Sequence, residues 1–371
     1  FEETDFTPET VTLKRAYQPG ENLICRGEDV HVGMELTRAG QTVDAGVAGA
    51  LWSQGVDSVL VYRRPRVAVI TTGSELEEGT ASPMEGRIPN SNRPAFETAL
   101  RLAGAEPVYY GTPKDDCAAI AALLERALTL GYDYIATGHY ARVDVDPDTG
   151  RYRLLRGRER RKDQSYVLYQ LTQHQMRHLL LPVGDYDKPA IREQARQAGL
   201  ENADKGDSQD ICFVPDGDYV GFLQRQGVVL TPGDFVDREG RVLGRHRGLP
   251  CYTAGQRKGL GVAAGKHVYV LRKNGEDNTI LLGDDEELYA SALRASHVNW
   301  ISGETPGGPV RCAAKTRYSQ TESACTAYPM PDGGLRVVFD QPQRAITAGQ
   351  AVVLYDGEEV LGGGTIEISE D

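Results

Sequence analysis

The sequence has 371 residues, 40% of them hydrophobic and 25% charged, with a formal net charge of -12, values that predict two to four compact globular units and exclude a disordered chain. No apolar run approaches the roughly eighteen residues of a membrane span, and the opening FEETDFTPET has neither the basic flank nor the apolar stretch of a secretion signal, so a cytoplasmic protein with no membrane partner is expected. The acidic balance argues against a generic nucleic-acid binder and requires any RNA site to be a local basic patch.

Along the chain, the first sixty or so residues alternate short apolar runs with Gly and polar turns, as in GENLICRGEDVHVGMEL, and predict a small β-rich segment. RPRVAVITTG then reads as a strand entering a Gly turn, NRPAFETALRLAGA as an amphipathic helix, EPVYYG as a strand, DDCAAIAALLERALTLG as a helix and YDYIATG as a further strand. This βαβαβ series predicts a parallel, Rossmann-like sheet. Between Arg151 and Lys162, seven of twelve residues are basic, which is either an RNA-facing patch or a solvated charged turn. Helical segments are expected around DQSYVLYQLTQHQMRHLL and KPAIREQARQAG, and from Val228 onward short β-branched and aromatic runs between Gly and Pro predict small β domains of sandwich or barrel type.

Three places have side chains suited to chemistry. Gly138 and His139 follow a predicted strand where a parallel sheet binds ligands, although a turn with a surface histidine reads the same way. Lys162, Asp163 and Gln164 open a helix: Asp163 is able to cap it, Gln164 to pair with a base edge and Lys162 to meet phosphate, and an ordinary helix cap is the alternative. Cys212 lies between apolar residues after the acidic turn Asp207-Ser208-Gln209-Asp210, as a buried structural thiol would. The other cysteines, Cys25, Cys117, Cys251, Cys312 and Cys325, are scattered with no C-x-x-C pair, so free thiols and no bound metal are expected.

GxDYIATGHYAR, KDQSYxLY, LPVGxYxKPxIRExA, DSQDICFVP, GxHRGLxxYTxGQRKGLG, KTRYSQ, AGQAVVLYDGE and LGGGTIE follow one another in a single order. In these strings the chain, from about residue 126 to 371, resembles the tRNA-specific 2-thiouridylases. The resemblance implies an enzyme that replaces the C2 oxygen of the wobble uridine of tRNA with sulfur, using ATP, with Mg2+ as its counter-ion, to adenylate that oxygen. It implies that Cys212 carries the sulfur as a persulfide received from a sulfur-relay or cysteine desulfurase donor, that Gly138 contacts ATP, and that His139, Lys162, Asp163, Gln164, Arg317, Tyr318 and Gln350 contact tRNA. Cys117 is the stand-in for the second cysteine, which releases the sulfur by forming a disulfide with the persulfide-bearing residue. By this resemblance residues 131–206 are the remainder of a catalytic α/β domain, 207–290 a central β-rich domain holding the persulfide cysteine, and 291–371 a C-terminal, tRNA-binding β-barrel.

The family's S-G-G-V-D-S-S phosphate loop is not in this sequence: Gln54-Gly55-Val56-Asp57-Ser58 echoes it with one Gly missing and no strand before it. Residues 1 to about 125, divided as 1–64 and 65–130, instead resemble the molybdopterin molybdotransferases in QPGENLICRGEDVHVGMEL, YRRPRVAVITTGSELEEG, GRIPNSN and LRLAGAEPVYYGTPKDD. Thr72, Gly73, Ser74, Glu75, Asn90, Ser91 and Asn92 fall on that family's motif positions, without its own phosphate loop. The join lies between Cys117 and Leu130. The expectation is a thiouridylase-like sulfurtransferase impaired in ATP use. The alternatives are a tRNA-binding module without turnover, a molybdotransferase fragment, or a chimeric reading frame.

Overall fold

The computed structural model describes residues 3–21, 23–73, 75–79, 87–113, 125–197, 218–225, 227–263 and 265–370. The chain divides into two compact units, Phe1–Pro65 and Arg66–Asp371.

In the first unit β1 (Thr4–Phe6) and β2 (Val11–Leu13) form an antiparallel hairpin, and Asp44 caps α1 (Ala45–Ser53) by accepting a hydrogen bond from the Val47 amide at 2.9 Å. The β-rich expectation meets only these two three-residue strands among the described residues. The chain turns at Gly20, Gly27, Gly33 and Gly40, each with left-handed backbone, which leaves no run long enough to build a ladder.

The second unit opens with β3 (Arg66–Ile70), β4 (Leu76–Glu77), β5 (Ile88–Pro89), α2 (Asn92–Leu102) and β6 (Glu106–Gly111). As the alternation predicts, β3 and β6 are parallel neighbours, and α2, which packs on both, connects them. The expected third strand of that sheet, β7 (Ile135–Ala136), pairs instead in parallel with β10 (Leu179–Leu180). The Ile135 amide donates to the His178 carbonyl at 2.7 Å and that of Thr137 to Leu180 at 3.1 Å, so the apolar Leu179-Leu180 edge takes the strand. Among the described residues β3–β6 and β7–β10 are thus separate two-stranded parallel sheets, not parts of one continuous Rossmann-like sheet.

Next come the hairpin of β8 (Ala141–Val145) and β9 (Tyr152–Arg156), a 3-10 turn at Ser165–Leu168, α3 (Gln173–Arg177), α4 (Lys188–Gln197) and α5 (Tyr219–Arg225). The helix expected to run on from Asp163 is broken in two because Thr172 and Gln175 form a capping box that starts α3 afresh. A four-stranded central sheet follows, made of β11 (Gly233–Val236), β12 (Val242–His246), β13 (Tyr269–Asn274) and β14 (Thr279–Gly283) in the order β12-β11-β14-β13 over Phe235, Tyr252, Val270 and Ile280.

The C-terminal part is β15 (Tyr289–Trp300), β16 (Val310–Lys315), β17 (Ser323–Pro329), β18 (Leu335–Arg344), β19 (Ala351–Asp356) and β20 (Glu359–Glu370). β15 pairs with both β18 and β20, closing the six strands into the expected barrel. Its strand β19 is buried on both faces with period two: Val352 and Leu354 point into the barrel, while Val353 and Tyr355 face a second core with Leu154, Tyr166, Tyr169 and Met176. Through that core, and through β9 laid against β20 with Leu154 opposite Val360, the barrel wall is joined to the segment that precedes it.

Candidate nucleic-acid interface

Beyond β7, Thr137, Gly138 and His139 form the turn into β8. The Thr137 hydroxyl lies 2.9 Å from His139 Nδ1 and orients the ring, and burial holds that imidazole below its ordinary value. Gly138 is exposed, its backbone is not left-handed, and a Cβ added there would meet nothing within 4 Å. The fold itself does not require this glycine. What it offers is main chain open to a ligand at the carboxyl end of a parallel strand, a setting that suits a nucleotide.

The predicted triplet packs beside this turn. Asp163 is buried, and its carboxylate accepts from the Gly157 amide at 3.0 Å, the Ser165 amide at 3.1 Å and the Ser165 hydroxyl at 2.9 Å. Gln164 is tied to Tyr140 twice: its Oε1 accepts from the Tyr140 amide at 3.0 Å and its own amide donates to the Tyr140 carbonyl at 2.8 Å. Lys162 lies near Lys188, whose ammonium is held below its ordinary value by burial and by the charges of Lys162 and Arg192. Three cations therefore converge here in a protein of acidic balance.

Two loops of the barrel complete the site. Lys315, the last residue of β16, stands opposite Val353 near the start of β19, so the 316–322 loop and the 345–350 turn share one end of the barrel. Thr316 and Gln320 brace the first loop through a 2.7 Å hydrogen bond, and Gln320 in turn donates to the buried Gln343 at 3.1 Å. Arg317 donates through Nη2 to the Ala345 carbonyl at 2.6 Å and the Thr347 hydroxyl at 3.0 Å, and burial pushes its guanidinium below the ordinary value. Tyr318 meets Tyr166 edge to face with ring centroids 5.9 Å apart, and Tyr166 donates its hydroxyl to the Ala351 carbonyl at 2.8 Å, next to the exposed Gln350. Burial, with the nearby Asp163 charge, raises the Tyr318 phenol.

The structure thus gathers Lys162, Asp163, Gln164, Arg317, Tyr318 and Gln350 around the seam between the 137–168 segment and the barrel end, with Gly138 and His139 on the same segment. Cys212, Cys117 and Ser74 lie outside the described residues. The basic run is largely neutralised: Arg151 pairs with Glu304 at 2.5 Å, Arg153 with Asp144 at 3.0 Å, Arg156 with Glu322 at 2.9 Å, Arg158 with Asp185 at 3.3 Å, and Arg160 with Glu358. Of these arginines only Arg156 is buried; the other pairs lie at the surface. Residue-type reasoning gave no role to Tyr140, Tyr166, Thr316, Gln320 or Thr347, most of which have partners distant in sequence, and only their membership of the quoted strings marked most of them. Of the molybdotransferase-like positions, Asn90 is buried and donates to Thr71 and Glu78 at 2.8 Å. The Tyr109 and Asn90 hydrogen bonds hold the Glu78 carboxyl at about 2.

Three family models match the chain: a tRNA methyl transferase HUP domain over residues 116–216, a tRNA methyl transferase PRC-barrel domain over 221–284 and an aminomethyltransferase beta-barrel domain over 290–366. A molybdopterin biosynthesis moeA protein from Pyrococcus horikoshii OT3 overlaps 41% of this chain and 41% of its own at 26% identity, with a TM-score of 0.32, too low to carry an argument. The tRNA-specific 2-thiouridylase MnmA of Acetivibrio thermocellus is 49% identical over 246 residues, 66% of this chain and 68% of that protein. Its counterpart in Moorella thermoacetica is 53% identical over 248 residues, 66% of this chain and 69% of that protein. At that identity, over more than two thirds of each relative and in the segment that builds the seam, the chain belongs to the tRNA-specific 2-thiouridylase family.

Proposed function

We propose that the chain is a tRNA-binding sulfurtransferase that exchanges the C2 oxygen of the wobble uridine for sulfur. The single observation that carries this reading is the edge-to-face contact of Tyr318 with Tyr166, which sets the barrel's Arg317-Tyr318 loop beside the Lys162–Gln164 triplet. Cations, an exposed phenol ring and a glutamine at one seam form a surface for backbone phosphates and an unstacked base.

Cys212 is assigned the persulfide by its motif position, with Cys117 as the stand-in nucleophile, and the sulfur comes from a relay or desulfurase donor. Gly138 is assigned to ATP, accompanied by Mg2+, which makes the C2 oxygen a leaving group. The terminal sulfur of the Cys212 persulfide bonds to C2 as the C2–O bond breaks and the oxygen departs on AMP, and the Cys117 thiolate then attacks Cys212 Sγ, breaking the S–S bond to leave sulfur on C2 and a Cys117–Cys212 disulfide. No S-G-G-V-D-S-S loop occurs in the sequence, so turnover below that of the relatives is expected.

The test is binding of tRNA against a non-RNA polyanion at physiological salt, followed by sulfur transfer to tRNA. A preference for tRNA, and loss of transfer in Cys212→Ser, support the reading. Equal binding of both polymers, or unchanged transfer in the variant, removes it. Pyrophosphate release stimulated by tRNA separates an enzyme from a module that grips tRNA without turnover.

Residues 1–125 are proposed as a molybdopterin molybdotransferase-like segment on the strength of their motif strings. Titration with molybdopterin tests this, and an absence of binding rejects a retained cofactor site. One DNA or RNA read across the codons for Cys117 to Gly138 distinguishes an evolved fusion from a chimeric reading frame.

A further inference from the structure

Gln164 has a side-chain acceptor able to read a base, yet that Oε1 accepts from the Tyr140 main-chain amide at 3.0 Å, while the Gln164 main-chain amide donates to the Tyr140 carbonyl at 2.8 Å. These two bonds close a ring across 24 residues of chain. Gly157 comes close to the Tyr140 carbonyl, so that a Cβ there would lie 2.7 Å from it, and the Gly157 amide is itself bound by Asp163. Both main-chain polar groups of Tyr140, the residue next to His139, are therefore bonded to Gln164, on the segment that carries Lys162.

We propose that Gln164 is a positioning residue for the Gly138–His139 turn, so that the turn offered to the nucleotide and the segment offered to RNA move as one piece. The proposal rests on the tRNA and ATP reading above. RNA drawing on Lys162 would pull through Gln164 on Tyr140 and so reset His139 and Gly138. This requires no contact between the Gln164 amide oxygen and RNA, because that oxygen is already engaged.

The test compares Gln164→Met, which keeps volume and loses the acceptor, with Gln164→Glu, which keeps an acceptor. In the RNA-free protein, amide exchange at Tyr140 should speed up about tenfold in Gln164→Met, the loss of one hydrogen bond, and stay slow in Gln164→Glu. Affinity for tRNA should fall about fivefold in Gln164→Met, and adding His139→Ala should weaken it no further than the worse single change, since both act through one turn. Unchanged Tyr140 exchange in Gln164→Met overturns the proposal, as does full additivity with His139→Ala. The exchange measurement uses no RNA, so a failure of tRNA binding by the unaltered chain would strike the functional reading and leave the clamp to be decided separately.

Discussion

Tyr318 and Tyr166, 152 residues apart in the sequence, meet edge to face with ring centroids at 5.9 Å and planes at 74°. Tyr166 is buried and its phenol is pushed up to about 12 by that burial, whereas 49% of Tyr318 remains exposed. One ring anchors and the other is left half-exposed. Tyr318→Ala should lower tRNA affinity about tenfold, in line with the loss of one base-stacking platform, and Tyr318→Phe should stay within about twofold. Filter binding measures both, and equal losses in the two variants would assign the effect to the hydroxyl rather than the ring.

Asp163→Ala should destabilise the second unit by about 3 kcal/mol, because it strands the Gly157 and Ser165 amides and the Ser165 hydroxyl in a buried setting. Asp163→Asn keeps an acceptor and should cost about 1 kcal/mol. Denaturant unfolding ranks the two, and an alanine variant as stable as the parent would mean that Asp163 is not a clamp.

Arg156, with only 5% of its side chain exposed, pairs with Glu322 at 2.9 Å and lies 3.9 Å from the Tyr355 ring centroid, while its Nε has no hydrogen-bond partner. Removing one member of such a pair leaves the other charge uncompensated, so Arg156→Met should cost about 3 kcal/mol. Adding Glu322→Gln should restore a large part of it. Additive losses in the double variant would contradict the pairing.

His139 links pH to stability with a definite sign. Burial lowers its folded value below the ordinary 6.5, so the unfolded chain takes up the proton first as pH falls. The stability it contributes is complete above 6.5 and is lost as pH drops from there through the lowered folded value. Melting temperatures measured from pH 8 to pH 5 should fall less steeply in His139→Gln than in the unaltered chain. Superimposable profiles would refute the buried, neutral imidazole.

The site was legible as strings more than as chemistry. The quoted strings marked out Gly138, His139, Lys162, Arg317 and Tyr318, and the structure sets the Arg317-Tyr318 loop against the segment that carries the other three through the contact of Tyr318 with Tyr166. The directions of Asp163, Gln164 and Arg317 were not legible: each carries groups able to meet RNA, and each has turned at least part of them toward backbone of its own fold. The run from Arg151 to Arg160 read equally as an RNA-facing patch or a solvated turn, and its carboxylate partners Asp144, Asp185, Glu304, Glu322 and Glu358, which lie outside the run, were not legible in it.

The sequence by itself determined the local elements with strong periodicity, namely α2, the β3–α2–β6 unit and the alternating strands of the barrel, because neighbours at fixed spacing decide which face is apolar. It also determined the family, through motif order. Only the tertiary structure decided that β7 joins β10, that β9 extends the barrel wall at β20, and that Tyr166 docks on Ala351 beside Tyr318. Those outcomes turn on which of several edges and buried groups find partners across long loops, and that competition is settled by packing and hydrogen-bond satisfaction in three dimensions.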